Sequence, residues 1–219
     1  MATGNGASIH AGFRGKVGTV TLSTWLSVDT MRSNMPANGK KKLSPKQLTQ
    51  TEIMKLVSSF LSRLLALINI TYQQARYPDQ TKMNEAVSYH IRNALVGDDT
   101  NRFFDLTKLK LSKPIRSTQS VWKPTLVSET ALQIKITWEL NPFPLKSTQL
   151  DDQVFLIFYL KSLDMFDTIR GPRRDELTFT YTAPKNTVDK EVFCYLVISS
   201  ADEKLVSPTK YLGMVTVMA

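Results

Sequence analysis

The chain has 219 residues, 42% of them hydrophobic and 21% charged, with a net charge of +9. That composition belongs to a folded globular protein; it excludes a disordered or low-complexity chain and is enough for one large domain or two small ones. A single cysteine, Cys194, excludes an intrachain disulfide and every cysteine-based metal motif.

The charge is unevenly placed. Residues 1–50 hold seven Lys/Arg against Asp29 alone, whereas residues 151–219 hold eight bases and ten acids. A basic field at the N-terminal end predicts an anionic partner: nucleic acid, an acidic protein or a membrane surface. Residues 1–11 are small and polar, without the charged and apolar regions of a secretory signal, so a cytoplasmic product or a component of a larger assembly is expected. The apolar run at 64–70 is too short to span a bilayer, and no transmembrane segment is expected.

The first element is an arm, Gly12-Phe13-Arg14-Gly15-Lys16-Val17-Gly18, running through Trp25 to Arg32. Residues 16–22 and 26–31 are rich in β-formers and flank Ser23-Thr24-Trp25, which predicts a β-hairpin turning there. Gly15 and Gly18 weaken a strand and predict a bulge or a close backbone approach. An isolated hairpin is marginal, so the arm must lie on its own domain or on another molecule. Phe13, Arg14, Gly15, Lys16, Gly18, Trp25 and Arg32 form the candidate assembly arm. Arg14 and Lys16, with Lys40, Lys41 and Lys42 of the following linker, are the candidate anion contacts.

Ser44-Pro45-Lys46-Gln47 is a capping box with Pro at the first helical position, and Leu43 and Leu48 sit where a hydrophobic staple would place them. Apolar residues at Ile53, Leu56, Val57, Phe60, Leu61, Leu64, Leu65 and Ile68 predict one long helix to about residue 69. A second helix is expected over 84–95, with Ala86, Val87, His90, Ile91 and Ala94 on one side and Gly97 as its stop.

From about Phe103 the period changes to two. Leu132, Ile134, Ile136 and Trp138 alternate with polar residues; residues 154–160 and 192–198 are apolar on both faces and read as central strands. Leu177, Phe179 and Tyr181 alternate with threonines, and residues 210–217 close the set. Pro-containing clusters at 141–142, 171–172, 183–184 and 207–208 read as turns. The expected fold is α+β: an N-terminal β-hairpin arm and two helices followed by an antiparallel immunoglobulin/fibronectin-III-like β-sandwich, with divisions at 1–43, 44–102 and 103–219.

The search for chemistry is mostly negative. Residues 10–17 lack the first glycine of a phosphate loop and place Val17 where Ser/Thr would hold magnesium. Gly4-Asn5-Gly6 lacks the third glycine of a dinucleotide loop. His10 and His90, the only histidines, have no metal spacing, and neither metal, cofactor nor catalytic residue is expected. Cys194 with His90 is the one conceivable nucleophile pair, but a thiol mid-strand among apolar residues is inert. Asp98-Asp99 and Asp151-Asp152 read as solvated or capping acids.

Gly12-Phe13-x-Gly15-Lys16-Val17-Gly18, Trp25, Met31-Arg32-Ser33, Pro45-x-Gln47-Leu48, Asn84-x-Ala86-Val87-Ser88-Tyr89-His90 and Ser200-Ala201-Asp202 with Tyr211-Leu212-Gly213 recur in this order in a known family. On these residues the chain resembles the DUF6266 family of uncharacterised Bacteroidota proteins, departing at Leu26-Ser27, where the family tends to carry a basic residue and glycine. The resemblance implies architecture and bacterial origin but no site residues. The expected function is a non-catalytic structural or assembly protein that self-associates as a homo-oligomer through the arm and long helix, in a virion, appendage or surface assembly. The alternative is a nucleic-acid-binding protein using the basic arm. A third reading, a carbohydrate- or protein-binding sandwich module, requires an exposed aromatic platform.

Overall fold

The computed structural model describes residues 2–4, 14–25, 28–34, 42–73, 80–98 and 101–218. Its C-terminal half is built from seven antiparallel strands: β7 (Trp122–Thr130), β8 (Gln133–Glu139), β9 (Gln153–Leu160), β10 (Met165–Arg173), β11 (Thr178–Thr182), β12 (Glu191–Ser199) and β13 (Lys210–Thr216). They form two sheets, ordered β11-β8-β7 and β10-β9-β12-β13. A three-stranded sheet facing a four-stranded sheet in this order is the strand arrangement of a fibronectin type III sandwich, as the alternating pattern predicts.

Strands β9 and β12 explain their own apolar runs. Val154, Leu156, Phe158 and Leu160 of β9 join Val192, Cys194, Leu196 and Ile198 of β12 in a core closed by Ile134, Ile136 and Trp138 of β8. The alternate residues Phe155, Ile157, Tyr159, Tyr195 and Val197 face a second core, against the helices. The sheet β10-β9-β12-β13 thus lies between the three-stranded sheet and the helices, with its central strands β9 and β12 buried on both faces.

The helical layer begins as the capping box requires. Ser44 N donates to Gln47 Oε1 at 2.9 Å and Gln47 N donates to Ser44 Oγ at 3.3 Å, starting α1 (Pro45–Ser62). The expected single helix to residue 69 is instead two, so that among the described residues three α-helices replace the two predicted. After Ser62 the chain bends by 83° into α2 (Leu65–Thr71). Neither Gly nor Pro marks the break. Leu64 N bonds Leu61 O at 2.9 Å, a tight 3₁₀ closure, and the bend lets Leu64, Leu67 and Ile68 enter the same core as Phe60 and Leu61. Among the described residues no single helix is long and apolar enough to cross a membrane. Helix α3 (Lys82–Asn93) starts at Thr81, whose side chain accepts from Asn84 N.

Two further readings are corrected. Gly97 does not simply stop a helix: it lies in β5 (Leu95–Asp98), which pairs antiparallel with β6 (Asn101–Phe104). The Gly171-Pro172 turn lies inside β10, where the register with β9 shifts between Arg170 and Arg173. A proline is tolerated there because β10 is an edge strand and the shift is a bulge.

The predicted N-terminal hairpin is present, with Ser23-Thr24-Trp25 inside its first strand and a further strand on each side. β2 (Gly15–Val17), β3 (Val20–Trp25) and β4 (Val28–Ser33) make an antiparallel meander, with β1 (Ala2–Gly4) on its outer edge. Ser23, Thr24 and Trp25 are strand, not turn. Gly18, at φ +58°, takes the first turn between Val17 and Val20 instead. A Cβ at Gly15 or Gly18 would meet nothing within 4 Å, so both glycines serve backbone dihedrals rather than a close approach. The connection at Leu26-Ser27 lies outside the described residues.

Candidate functional site

The register of the meander sorts its side chains onto two faces. Lys16 pairs with Thr21, and Thr21 pairs with Arg32, so both cations stand in one row across three strands. Trp25, 58% exposed, lies on that same face, four residues along β3 from Thr21. The opposite face carries Val17, Val20, Leu22 and Met31, with Thr24 and Asp29 at its far end. Ser23–Thr30 at 2.6 Å and Thr24–Asp29 at 2.7 Å bind the sheet internally. Among the described residues, none of its side chains is buried, and Val17 is 66% exposed. Arg14 and Lys42 are exposed, Lys42 just ahead of α1; Phe13, Lys40 and Lys41 lie outside the described residues.

The second feature is a groove of about 750 Å³ between α1, the β5–β6 hairpin and the far end of β9. Its floor is aromatic: Phe60 stacks on Phe104 at 4.1 Å and meets Phe166 and Tyr159 edge-on at 5.0 and 5.5 Å. Leu56, Phe103 and Phe193 form its walls, Phe103 being 57% exposed. The rim is charged. Arg63, freed at the helix break, donates to the Asp164 backbone carbonyl and to its carboxylate, the latter at 2.7 Å. Tyr159 Oη donates to the other carboxylate oxygen at 2.9 Å. The Arg63 hydrogen bond holds the Asp164 carboxyl below the usual range, while burial, aided by Asp164, pushes the Tyr159 phenol up to about 12. The arrangement keeps Tyr159 protonated as a fixed donor and leaves an apolar hollow with polar edges, suited to receiving an apolar side chain.

Sequence reasoning missed this groove. The Phe103-Phe104 doublet was a usable signal, but which aromatic stays open depends on where α1 comes to rest. The residues reasoned about for catalysis are packed away. His90 is fully buried: Nε2 accepts from Lys110 N at 3.2 Å, which leaves the proton on Nδ1, donated to Ala86 O at 2.7 Å. Burial lowers its pKa to about 4. Burial also pushes the Cys194 thiol up to about 12, in the sandwich core. Asp152 is not a solvated acid: it is fully buried, and its Oδ2 accepts from Arg174 Nη2 at 2.9 Å and from Thr118 Oγ1 at 3.2 Å.

A model for a family of unknown function, DUF6266, matches residues 12–213. The chain belongs to this family. The DUF6266 match starts in the arm and ends in β13, so arm, helical layer and sandwich are one family unit rather than a sandwich with additions. Among solved structures, the solution structure of the fn3 domain of the human collagen alpha-1(XX) chain is similar at 14% identity, with a TM-score of 0.36, covering 49% of this chain and 92% of that one. At that score the fold assignment rests on the strand order above. No curated protein matches.

Proposed function

We propose that this DUF6266 protein is a non-catalytic assembly component that self-associates through its N-terminal sheet and helix α1. The observation that carries the reading is the amphipathic meander: Val17, Val20, Leu22 and Met31 share a face that, among the described residues, enters neither core. A small sheet gains stability only when such a face is covered. Helix α1 adds exposed Leu48 and Met54 outside the groove. The Lys16–Arg32 row, turned the other way, would favour an acidic surface on the neighbour or in its cargo.

Size-exclusion chromatography with light scattering, at low and high salt, tests this. The expected result is an oligomer that persists in salt, and that a chain lacking residues 1–32 no longer forms. A monomer that shifts only when DNA or RNA is added overturns it in favour of the second reading. That reading is supported by Lys16, Arg32 and Trp25 sharing one face, since cations and an aromatic ring along one surface suit a single-stranded nucleic acid. Its binding would fall steeply with salt.

A further inference from the structure

The ends of strand β9 carry two features that fit one another. β9 starts at Gln153 directly after the loop 140–152 and ends at Leu160 directly before the rim of the aromatic groove. Eight residues of strand separate them by about 25 Å. At the near pole the loop holds large apolar side chains out into solvent: Phe143 is 78% exposed and Leu145 56%, beside exposed Leu140 and Leu150. These are not the tips of a slack loop. Gln119 grips it from inside, donating through Nε2 to Phe143 O at 3.3 Å and accepting through Oε1 from Leu145 N at 3.1 Å and Thr148 Oγ1 at 2.9 Å. Thr118 Oγ1, whose proton goes to Asp152, lies 3.1 Å from Ser147 O, and the buried Asp152 accepts from Gln149 N at 3.3 Å. Pro142 and Pro144 flank Phe143 and reduce the entropy lost on docking.

We propose that Phe143 and Leu145 of one copy seat in the groove of a second copy, between Phe103 and Phe193, so that copies join head to tail. This rests on the self-assembly reading above and adds a contact separate from the N-terminal sheet. The knob and groove lie on different parts of the surface, so the contact is heterologous and repeats, giving a ring or a filament rather than a closed dimer. The groove's volume of about 750 Å³ holds a phenyl ring with a neighbouring leucine. The size of the contact sets its strength. Four exposed apolar side chains cover roughly a few hundred Å², a patch of functional size yet short of the roughly 800 Å² per partner of a stable interface. The contact is therefore weak alone and holds when combined with the N-terminal sheet.

Sedimentation velocity over a concentration series of the full-length protein tests it, with two variants at exposed positions: Phe143→Asp, which spoils the knob, and Phe103→Glu, which spoils the groove. Each is expected to weaken association by roughly tenfold or more. A one-to-one mixture is expected to recover part of the association that each variant loses alone, because the knob kept by Phe103→Glu enters the groove kept by Phe143→Asp. Circular dichroism checks that both remain folded. If both variants associate like the wild type, the head-to-tail contact is overturned while assembly through the N-terminal sheet stands. If each loses association and the mixture restores nothing, the pairing of knob with groove is overturned. If the wild type itself stays monomeric at every concentration, both this contact and the assembly reading fall.

Discussion

Strands β3 and β9 are both antiparallel and both lie inside a four-stranded sheet, yet they differ in what their side chains meet. In β9 every residue from Val154 to Leu160 is buried, alternately against the three-stranded sheet and against the helices. In β3 no residue is buried, and the hydrogen bonds of Ser23 and Thr24 close within the small sheet. The backbone pairing is equivalent; the stability is not. A ladder of hydrogen bonds contributes little net free energy in water, and burial of apolar area decides whether a sheet stands alone. The body covers both faces of its central strands with its own residues, whereas the apolar face of the N-terminal sheet, among the described residues, enters neither core.

Substitutions in the body should therefore be costly. Phe158 is fully buried and stacks on Tyr181 at 3.9 Å. Phe158→Ala is expected to cost about 3 to 5 kcal/mol in urea unfolding, from lost transfer energy and the cavity left behind. Asp152→Asn should cost a similar amount, about 3 to 5 kcal/mol, because it strands the Arg174 guanidinium in a site that is 4% exposed. A loss under about 1 kcal/mol in either would mean that the sandwich relaxes around the change, and the contrast with the N-terminal sheet would weaken.

A histidine supplies a pH-dependent version of the same test. His90 has a folded pKa of about 4 against an ordinary 6.5, because burial disfavours its charged form. As pH falls, the unfolded chain takes up the proton first. The contribution is complete above about pH 6.5 and is lost progressively as pH falls towards 4, amounting to roughly 3 kcal/mol. His90→Asn cannot titrate, so the difference in stability between it and the wild type should narrow by that amount across the window. A constant difference from pH 7 to pH 4 would count against a buried neutral imidazole.

The same contrast governs how much could be read from the sequence. Residues 154–160 and 192–198 announced a doubly buried pair because burial on both faces erases polar alternation. Ser44 and Gln47 announced the start of α1 because a cap is satisfied locally. What stayed hidden depends on distant partners. The bend at Arg63-Leu64 has no local breaker and is fixed by what Leu64 and Arg63 reach across the fold. Gly171-Pro172 spoke for a turn because its tolerance inside β10 follows from that strand's place at an edge. The two faces of the meander were legible only once register was known: a turn at Gly18 rather than at Ser23-Thr24-Trp25 decides which residues share a side. The aromatic groove combines residues from α1, β6, β9 and β12, and no segment alone carries its pattern.

The smallest expected effect is the one that most sharpens the comparison. Leu22→Ala removes a large apolar side chain from the centre of a strand, a change that in β9 would be severe. In β3 it should change the unfolding free energy of the body by less than about 0.5 kcal/mol in urea titration, since Leu22 belongs to neither core. Hydrogen exchange by mass spectrometry on dilute protein should show residues 15–33 exchanging well ahead of β9 and β12, because local opening of the sheet need not disturb the body. At concentrations where copies associate, the same amides should slow in the wild type and not in Leu22→Ala. Equal protection of β3 and β9 in the dilute protein would mean that the small sheet is held by its own chain, and that its apolar face needs no neighbour.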